Sequence, residues 1–253
     1  MFWKFWRRRP RSLPVSRPAF FAAPDAEQEI AVIADVHGMD LALGAMLDLL
    51  AREAPNARII FVGDLIDRGE DSAQVLQRVF KLGETVEVLL GNHEDMLLKF
   101  LGDPARAGRQ WLRCGGLQTL ASFGVGGVRD MSPGAEMSAA RDSLRAAMGP
   151  DLEAWLVARP RIWSGGNVAV THAGADPWRA IDAQPPQAFT WGHPAFRKRA
   201  RSDGLWVVHG HDIVPEPMAA DGIISIDTGA YASGGLTAAV LSNGAVRFLS
   251  VRS

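Results

Sequence analysis

A chain of 253 residues, 47% hydrophobic and 22% charged, carries enough apolar material for one large globular domain with an appendage. Its formal net charge of -1 gives no whole-molecule preference for a polyanion or a membrane, so stable nucleic-acid binding is not expected. The single cysteine, Cys114, excludes an internal disulfide framework and fits a reducing, cytoplasmic compartment, and no apolar run approaches the roughly 18 residues of a membrane span.

The first residues read MFWKFWRRRPRSLPVSRPAFFAAP, a mixture of aromatics, arginines and prolines without the apolar centre of a secretory leader. They predict a flexible basic tail over residues 1–28, ahead of a folded domain over 29–253. Trp3, Phe5 and Trp6 beside Arg7, Arg8 and Arg9 also suit weak contact with an anionic membrane surface. The run IAVIA, Ile30 to Ala34, then predicts a buried strand. Asp40 is placed to cap a helix with Leu43, Met46, Leu47 and Leu50 on one face. Ile59 to Val62 reads as a second strand, and Ser72 opens a helix striped by Val75, Leu76, Val79 and Phe80. Val86 to Leu90 is a third strand, before a helix carrying Met96, Leu97 and Phe100. This βαβαβ order implies an α/β fold whose sheet is at least partly parallel and buried on both faces. Residues 102–160 lack a strand pattern and read as a helical insertion, with helices around 110–122, 138–148 and 152–157. Strands return at Val168 to Val170, Leu205 to Val208 and Ile223 to Ile226. A C-terminal β-hairpin joins Leu236–Leu241 to Ala245–Val251 through Ser242-Asn243-Gly244.

The strand ends share a feature. Asp35-Val36-His37-Gly38 follows the first strand, Gly63-Asp64 through Asp67-Arg68-Gly69 the second, and Gly91-Asn92-His93-Glu94 the third. Later strands run into Thr171-His172-Ala173-Gly174, His209-Gly210-His211 and Asp227-Thr228-Gly229. In open α/β sheets ligands bind outside the carboxyl ends of the strands, and glycine there lets another group approach closely. Taken singly, each Asp is a helix cap and each His a core residue; the repetition points to one site. Nitrogen and oxygen donors without a thiolate suit Mn²⁺, Fe or Zn²⁺. Their number suits two ions roughly 3.5–4 Å apart that share a carboxylate.

Together these motifs resemble the calcineurin-like metallophosphoesterases, most closely the bacterial phosphoprotein phosphatase branch, which also holds symmetrical diadenosine tetraphosphate hydrolases. The resemblance spans most of Ile30 to Ala230 and implies a β-sandwich flanked by helices. It also implies a ligand set: Asp35 and His37 on a first ion, Asp64 bridging, and Asn92, His172 and His211 on a second. His211 follows the glycine and is preferred to His209, which reads as a packing histidine. Water acidified by the ions would attack phosphorus, His93 would protonate the leaving oxygen, and Asp67 would pair with His93 and keep it charged. Arg68 offers a planar fork of donors to phosphoryl oxygens. Glu94 is assigned to the helix N-terminus. Where bacterial relatives often carry Trp-x-Arg, this chain has Trp191-Gly192-His193, so His193 or Arg197 is expected to join Arg68 and Asn92 in binding substrate. The run Arg197, Lys198, Arg199 and Arg201 otherwise reads as a solvated face. Trp111 to Leu117 reads equally as a helical cover over the site or as a packed helix.

These readings converge on a dinuclear metal-dependent phosphoester hydrolase, with Mn²⁺ the first choice, acting on phosphoserine and phosphothreonine proteins. The enzymatic alternative acts on a nucleotide, as a symmetrical bis(5'-nucleosyl)-tetraphosphatase or an RNA-decapping-type pyrophosphohydrolase. The non-enzymatic alternative is a phosphate-binding scaffold.

Overall fold

The computed structural model describes residues 22–252, so the aromatic–arginine cluster of the tail lies outside the described residues. Three parallel strands form one side of the first sheet: β1 (Ile30–Ile33), β2 (Arg58–Phe61) and β3 (Val86–Val88). They are linked by α1 (Asp40–Glu53) and α2 (Ser72–Leu82), and α3 (Asn92–Gly102) follows β3. The hairpin of β9 (Gly235–Ser242) and β10 (Ala245–Arg252) completes this sheet in the order β10-β9-β1-β2-β3, with β9 antiparallel to β1. Asn243 and Gly244 both take positive φ, 51° and 76°, which the tight hairpin turn demands.

The second sheet runs β4-β5-β6-β8-β7, from β4 (Ile162–Gly165), β5 (Val168–Thr171), β6 (Trp206–His209), β7 (Met218–Ala220) and β8 (Ile223–Ser225). One apolar core joins the two sheets, with Val32 and Ile60 from the first and Val170, Val208 and Ile224 from the second. Two strands here escape a reading of the sequence. Both β4 and β7 are edge strands, and β7 is exposed along its length. Their pairing is made by backbone groups, so neither needs the apolar run by which a buried strand announces itself.

Residues 102–160 are helical as expected: α4 (Pro104–Trp111), α5 (Leu117–Ser122), α6 (Gly134–Met148) and α7 (Pro150–Val157). The helix expected over 110–122 is broken by a π turn at Leu112–Gly116. The expected tail boundary needs correction. Ala22 to Gln28 belong to the fold: Ala26 is buried, Asp25 N–H donates to Asn167 Oδ1 at 2.7 Å, and Trp206 Nε1 donates to Ala22 O at 2.8 Å. Asp40 does not cap α1; it is that helix's first residue, and both its carboxylate oxygens take the Arg78 guanidinium at 2.7 Å, tying α1 to α2. No helix among the described residues is long and apolar enough to cross a membrane.

Candidate metal centre

The turns after β1, β2, β3, β5 and β6 meet at one rim, and Asp64 is their hub. Its Oδ2 lies 3.6 Å from His37 Nε2, 3.8 Å from His93 Nε2 and 3.4 Å from His172 Nε2. Two overlapping donor groups result, His37–Asp64–His93 and Asp64–His172–His211, and Asp64 is common to both. Asn92 Oδ1 sits 2.8 Å from both His172 Nε2 and His211 Nδ1. Asp35 accepts the His211 backbone N–H at 3.0 and 3.1 Å on its two oxygens. His37 Nδ1 donates to Ile66 O at 2.8 Å, which leaves the Nε2 lone pair facing Asp64.

Backbone ties make this possible. Val36 and His37 both donate their N–H to Asp64 O, at 3.0 and 2.9 Å, binding the first turn to the second. Glu94 accepts from Asp64 N at 2.8 Å, Leu65 N at 2.8 Å and Gly91 N at 3.0 Å, so it joins the second turn to the third as well as serving its own helix. A Cβ on Gly210 would run into Asp35, which is why the chain needs glycine between His209 and His211. Five site residues take left-handed backbone: His37, Asp64, Asp67, Arg68 and His211, with φ from 46° to 69°. Such conformations cost energy in non-glycine residues and persist where surrounding structure imposes them.

Burial sets the electrostatics. Asp35 and Asp64 are each 2% exposed. Desolvation raises both carboxyls well above the usual range, with Asp227 adding to the first and Asp35 to the second. Desolvation likewise drives His37 and His172 well below the usual imidazole value, helped by His93 for the former and His211 for the latter. Neutral imidazoles with available lone pairs, two crowded carboxyls and an amide oxygen are a donor set that divalent cations fit, and a cation would return the carboxyls to their ionised form.

His93 stands beside this cluster with Nδ1 2.6 Å from Asp67 Oδ2. Burial pulls His93 down to about 3, with Arg68 and His211 contributing, and pushes Asp67 up to about 8. Both directions follow from burial without a metal cation nearby, and the 2.6 Å contact places a shared proton between Nδ1 and Oδ2. Asp67 is held by donors from the helical insertion: Trp111 Nε1 at 3.0 Å and Thr119 Oγ1 at 2.6 Å. The stretch from Trp111 to Thr119 is therefore both a packed element and a wall of the site. Arg68 Nη2 lies 3.4 Å from His93 Nε2, and the guanidinium carbon is 4.6 Å from the centre of the Tyr231 ring.

A groove of about 580 Å³ opens from His211, lined among others by Trp191, His193, Phe196, Arg197 and Asp212. His193 and Arg197 thus lie next to the donor cluster, and Arg197 Nη1 is 3.7 Å from Asp212 Oδ2. Asn92 stands inside the cluster and not on the groove wall. His209 faces away, with Nε2 2.7 Å from Ser225 Oγ and its ring packed edge-on against Phe196, as a packing histidine should. The basic run is not one solvated face. Arg201 is 6% exposed, bonds the carbonyls of Asp176 and Arg179, and pairs with Asp203.

Residues 29–215 match the family model described as calcineurin-like phosphoesterase. The chain belongs to that family. It is a phosphoester hydrolase, and the scaffold alternative is set aside. This phosphoesterase is 27% identical to the asymmetrical bis(5'-nucleosyl)-tetraphosphatase PrpE of Bacillus velezensis, over 81% of this chain and 86% of the relative. It is 30% identical to the symmetrical bis(5'-nucleosyl)-tetraphosphatase of Methylococcus capsulatus, but over 61% of this chain and only 46% of that relative. A crystal structure provisionally assigned as a diadenosine tetraphosphatase superposes with a TM-score of 0.63 at 22% identity, covering 91% of this chain and 98% of that one. At that identity the likeness speaks to the fold.

Three residues of the phosphoesterase site carried no assigned role in the sequence. Asp227 is 3% exposed, raises the Asp35 pKa, and accepts the Gly229 N–H at 2.8 Å. Its place at a strand end, as in the other motifs, was the available signal. Tyr231, in α9 (Ala230–Ser233), packs its ring 5.3 Å from that of His37. Thr119 reaches Asp67 across 52 residues of chain, and nothing local marks it.

Proposed function

We propose that this phosphoesterase hydrolyses dinucleoside polyphosphates, with a bis(5'-nucleosyl)-tetraphosphate as substrate. This reverses the order suggested by the sequence, where the phosphoprotein phosphatase came first. The observation that carries the reversal is the extent of the likeness to the Bacillus velezensis tetraphosphatase, which takes in 86% of that protein. The same comparison favours asymmetrical cleavage over the symmetrical cleavage expected from the motifs.

In this reading Asp35, His37 and Asp64 would hold one cation, while Asp64, Asn92, His172 and His211 would hold the other. Two divalent cations, Mn²⁺ by preference with Fe or Zn²⁺ as alternatives, would supply Lewis acidity and acidify a water toward neutral pH. Arg68, braced over Tyr231, presents its fork to the phosphoryl oxygens and orients the reacting phosphorus. His93 directs Nε2 to the leaving oxygen and passes it a proton, while Asp67 at Nδ1 fixes the ring and offsets its charge. Trp111 and Thr119 hold Asp67 in turn.

The test is product analysis with the Mn²⁺-loaded protein. Diadenosine tetraphosphate should yield ATP and AMP. Two molecules of ADP would support symmetrical cleavage instead, and release of phosphate from a phosphoserine peptide without dinucleotide turnover would restore the protein phosphatase reading.

A further inference from the structure

The groove beside His211 has a feature that metal chemistry does not use. Trp191, the last residue of α8 (Pro186–Trp191), lines it and is 36% exposed. The indole is nevertheless held fast. Its Nε1 donates to Asp95 Oδ2 at 2.9 Å, and Lys99 Nζ lies 5.2 Å from the ring centre. Asp95 and Lys99 themselves form an ion pair at 2.6 Å. Both stand on α3, the helix that begins with Asn92 and His93. At a rise of about 1.5 Å per residue, Asp95 is roughly one turn along the axis from Asn92. The position of the indole is therefore referenced to the catalytic helix.

A flat aromatic surface that shares a groove with His211, and is bonded to a residue one helical turn from Asn92, fits a nucleobase. Stacking tolerates every base, because each has a π face, and a pre-positioned ring pays little conformational entropy on binding. Arg197 lies on the same groove, and its loose contact with Asp212, with both side chains more than 40% exposed, can be exchanged for a phosphate. The groove's volume of about 580 Å³ falls within the range of small-molecule sites. Resting on the dinucleotide reading above, we propose that Trp191 is the stacking platform for a nucleobase, with Arg197 neutralising the polyphosphate between that base and the metal rim.

Two measurements on the Mn²⁺-loaded full chain test this. In calorimetric titrations, AMP should bind at least about tenfold more tightly than ribose 5-phosphate, the margin expected of one stacked base. Equal affinities in the wild type overturn the platform without recourse to any variant. In kinetics, Trp191→Ala should raise KM for diadenosine tetraphosphate at least about tenfold more than KM for p-nitrophenyl phosphate, whereas Trp191→Phe, which retains a ring, should recover most of that difference. Equal changes for the two substrates in Trp191→Ala overturn it. A protein that cleaves p-nitrophenyl phosphate and phosphopeptide but no dinucleotide removes the functional reading, and the platform with it. A protein that cleaves the dinucleotide with an unaltered KM ratio in Trp191→Ala removes the platform alone.

Discussion

The two sides of the site are built differently. On the first sheet's side, Asp35, His37, Asp64, Asp67, Asn92 and His93 are each no more than 6% exposed. Their turns are cross-bonded through Asp64 O and Glu94. On the other side, residues 174–204 form a long connection between β5 and β6 with one short helix, 3₁₀ turns and exposed groups such as Trp178. Its buried polar ties include Arg201 and Gln184. The contrast separates two tasks. Cations and a general acid need positions held within fractions of an ångström, which interlocked strand ends would supply, whereas substrate recognition tolerates loops.

The largest effect should come from the hub. Asp64→Asn removes the carboxylate common to both donor groups, so turnover should fall to background and dialysed protein should retain neither ion in elemental analysis. Retention of one ion would show that the halves of the rim are independent. His93→Asn should lower turnover by roughly 10²–10⁴ with metal content intact. Full activity on an ester with a poor leaving group would exclude His93 as the acid. Trp111→Phe deletes an N–H donor to Asp67 while keeping an aromatic ring, and turnover should drop roughly ten- to a hundredfold, the weight of a hydrogen bond to a charged group. An unchanged rate would make the insertion a packing element only.

Smaller effects concern stability. Folded Asp67 and Glu94 titrate at about 8 and about 7, pushed up by burial, whereas unfolded carboxyls titrate near 4. At these two carboxyls the folded, metal-stripped protein keeps protons that the unfolded chain has lost, a contribution that lowers stability as pH rises. The imidazoles are shifted in the opposite sense, but their unfolded value is about 6.5. Above about pH 7.5 the unfolded imidazoles are mostly neutral and the raised carboxyls set the slope, so the loss should be roughly 1 kcal/mol between about pH 7.5 and 8.5. Thermal melts of the chelated protein measure it, and Mn²⁺ should restore more stability at the upper end; a melting temperature rising across this window would contradict the burial argument. Smallest of all, Arg201→Lys loses the planar fork that binds two carbonyls and Asp203. Amide exchange should speed up in residues 174–204 and remain slow in residues 35–38 and 64–67. Acceleration in both would erase the distinction between the two sides.

Much of this was legible in one dimension. The strands β1, β2, β3, β5, β6 and β8 announce themselves as apolar runs because they are buried, and the hairpin turn because Asn243-Gly244 accepts positive φ. Asp35, His37, Asp64, Asn92, His172 and His211 were readable because each is delivered by a strand end only a few residues away. The strands β4 and β7 were hidden because their side chains stay largely outside the core, so neither carries a buried apolar run. The tail boundary was misplaced because Ala22 to Gln28 are held by Asn167 and Trp206, far along the chain.

What the amino-acid order determined alone was the set of donors and the scaffold type that carries them, since strand burial and turn chemistry are local demands on residue type. The tertiary structure decided which donors face one another, that Asp64 is shared, and that His93 and Asp67 meet under Trp111 and Thr119. It also decided that Trp191 is braced on the catalytic helix while Arg201 is buried. Those outcomes depend on distances between residues tens to more than a hundred positions apart and on the loss of water around them, and neither is a property of any short stretch of sequence.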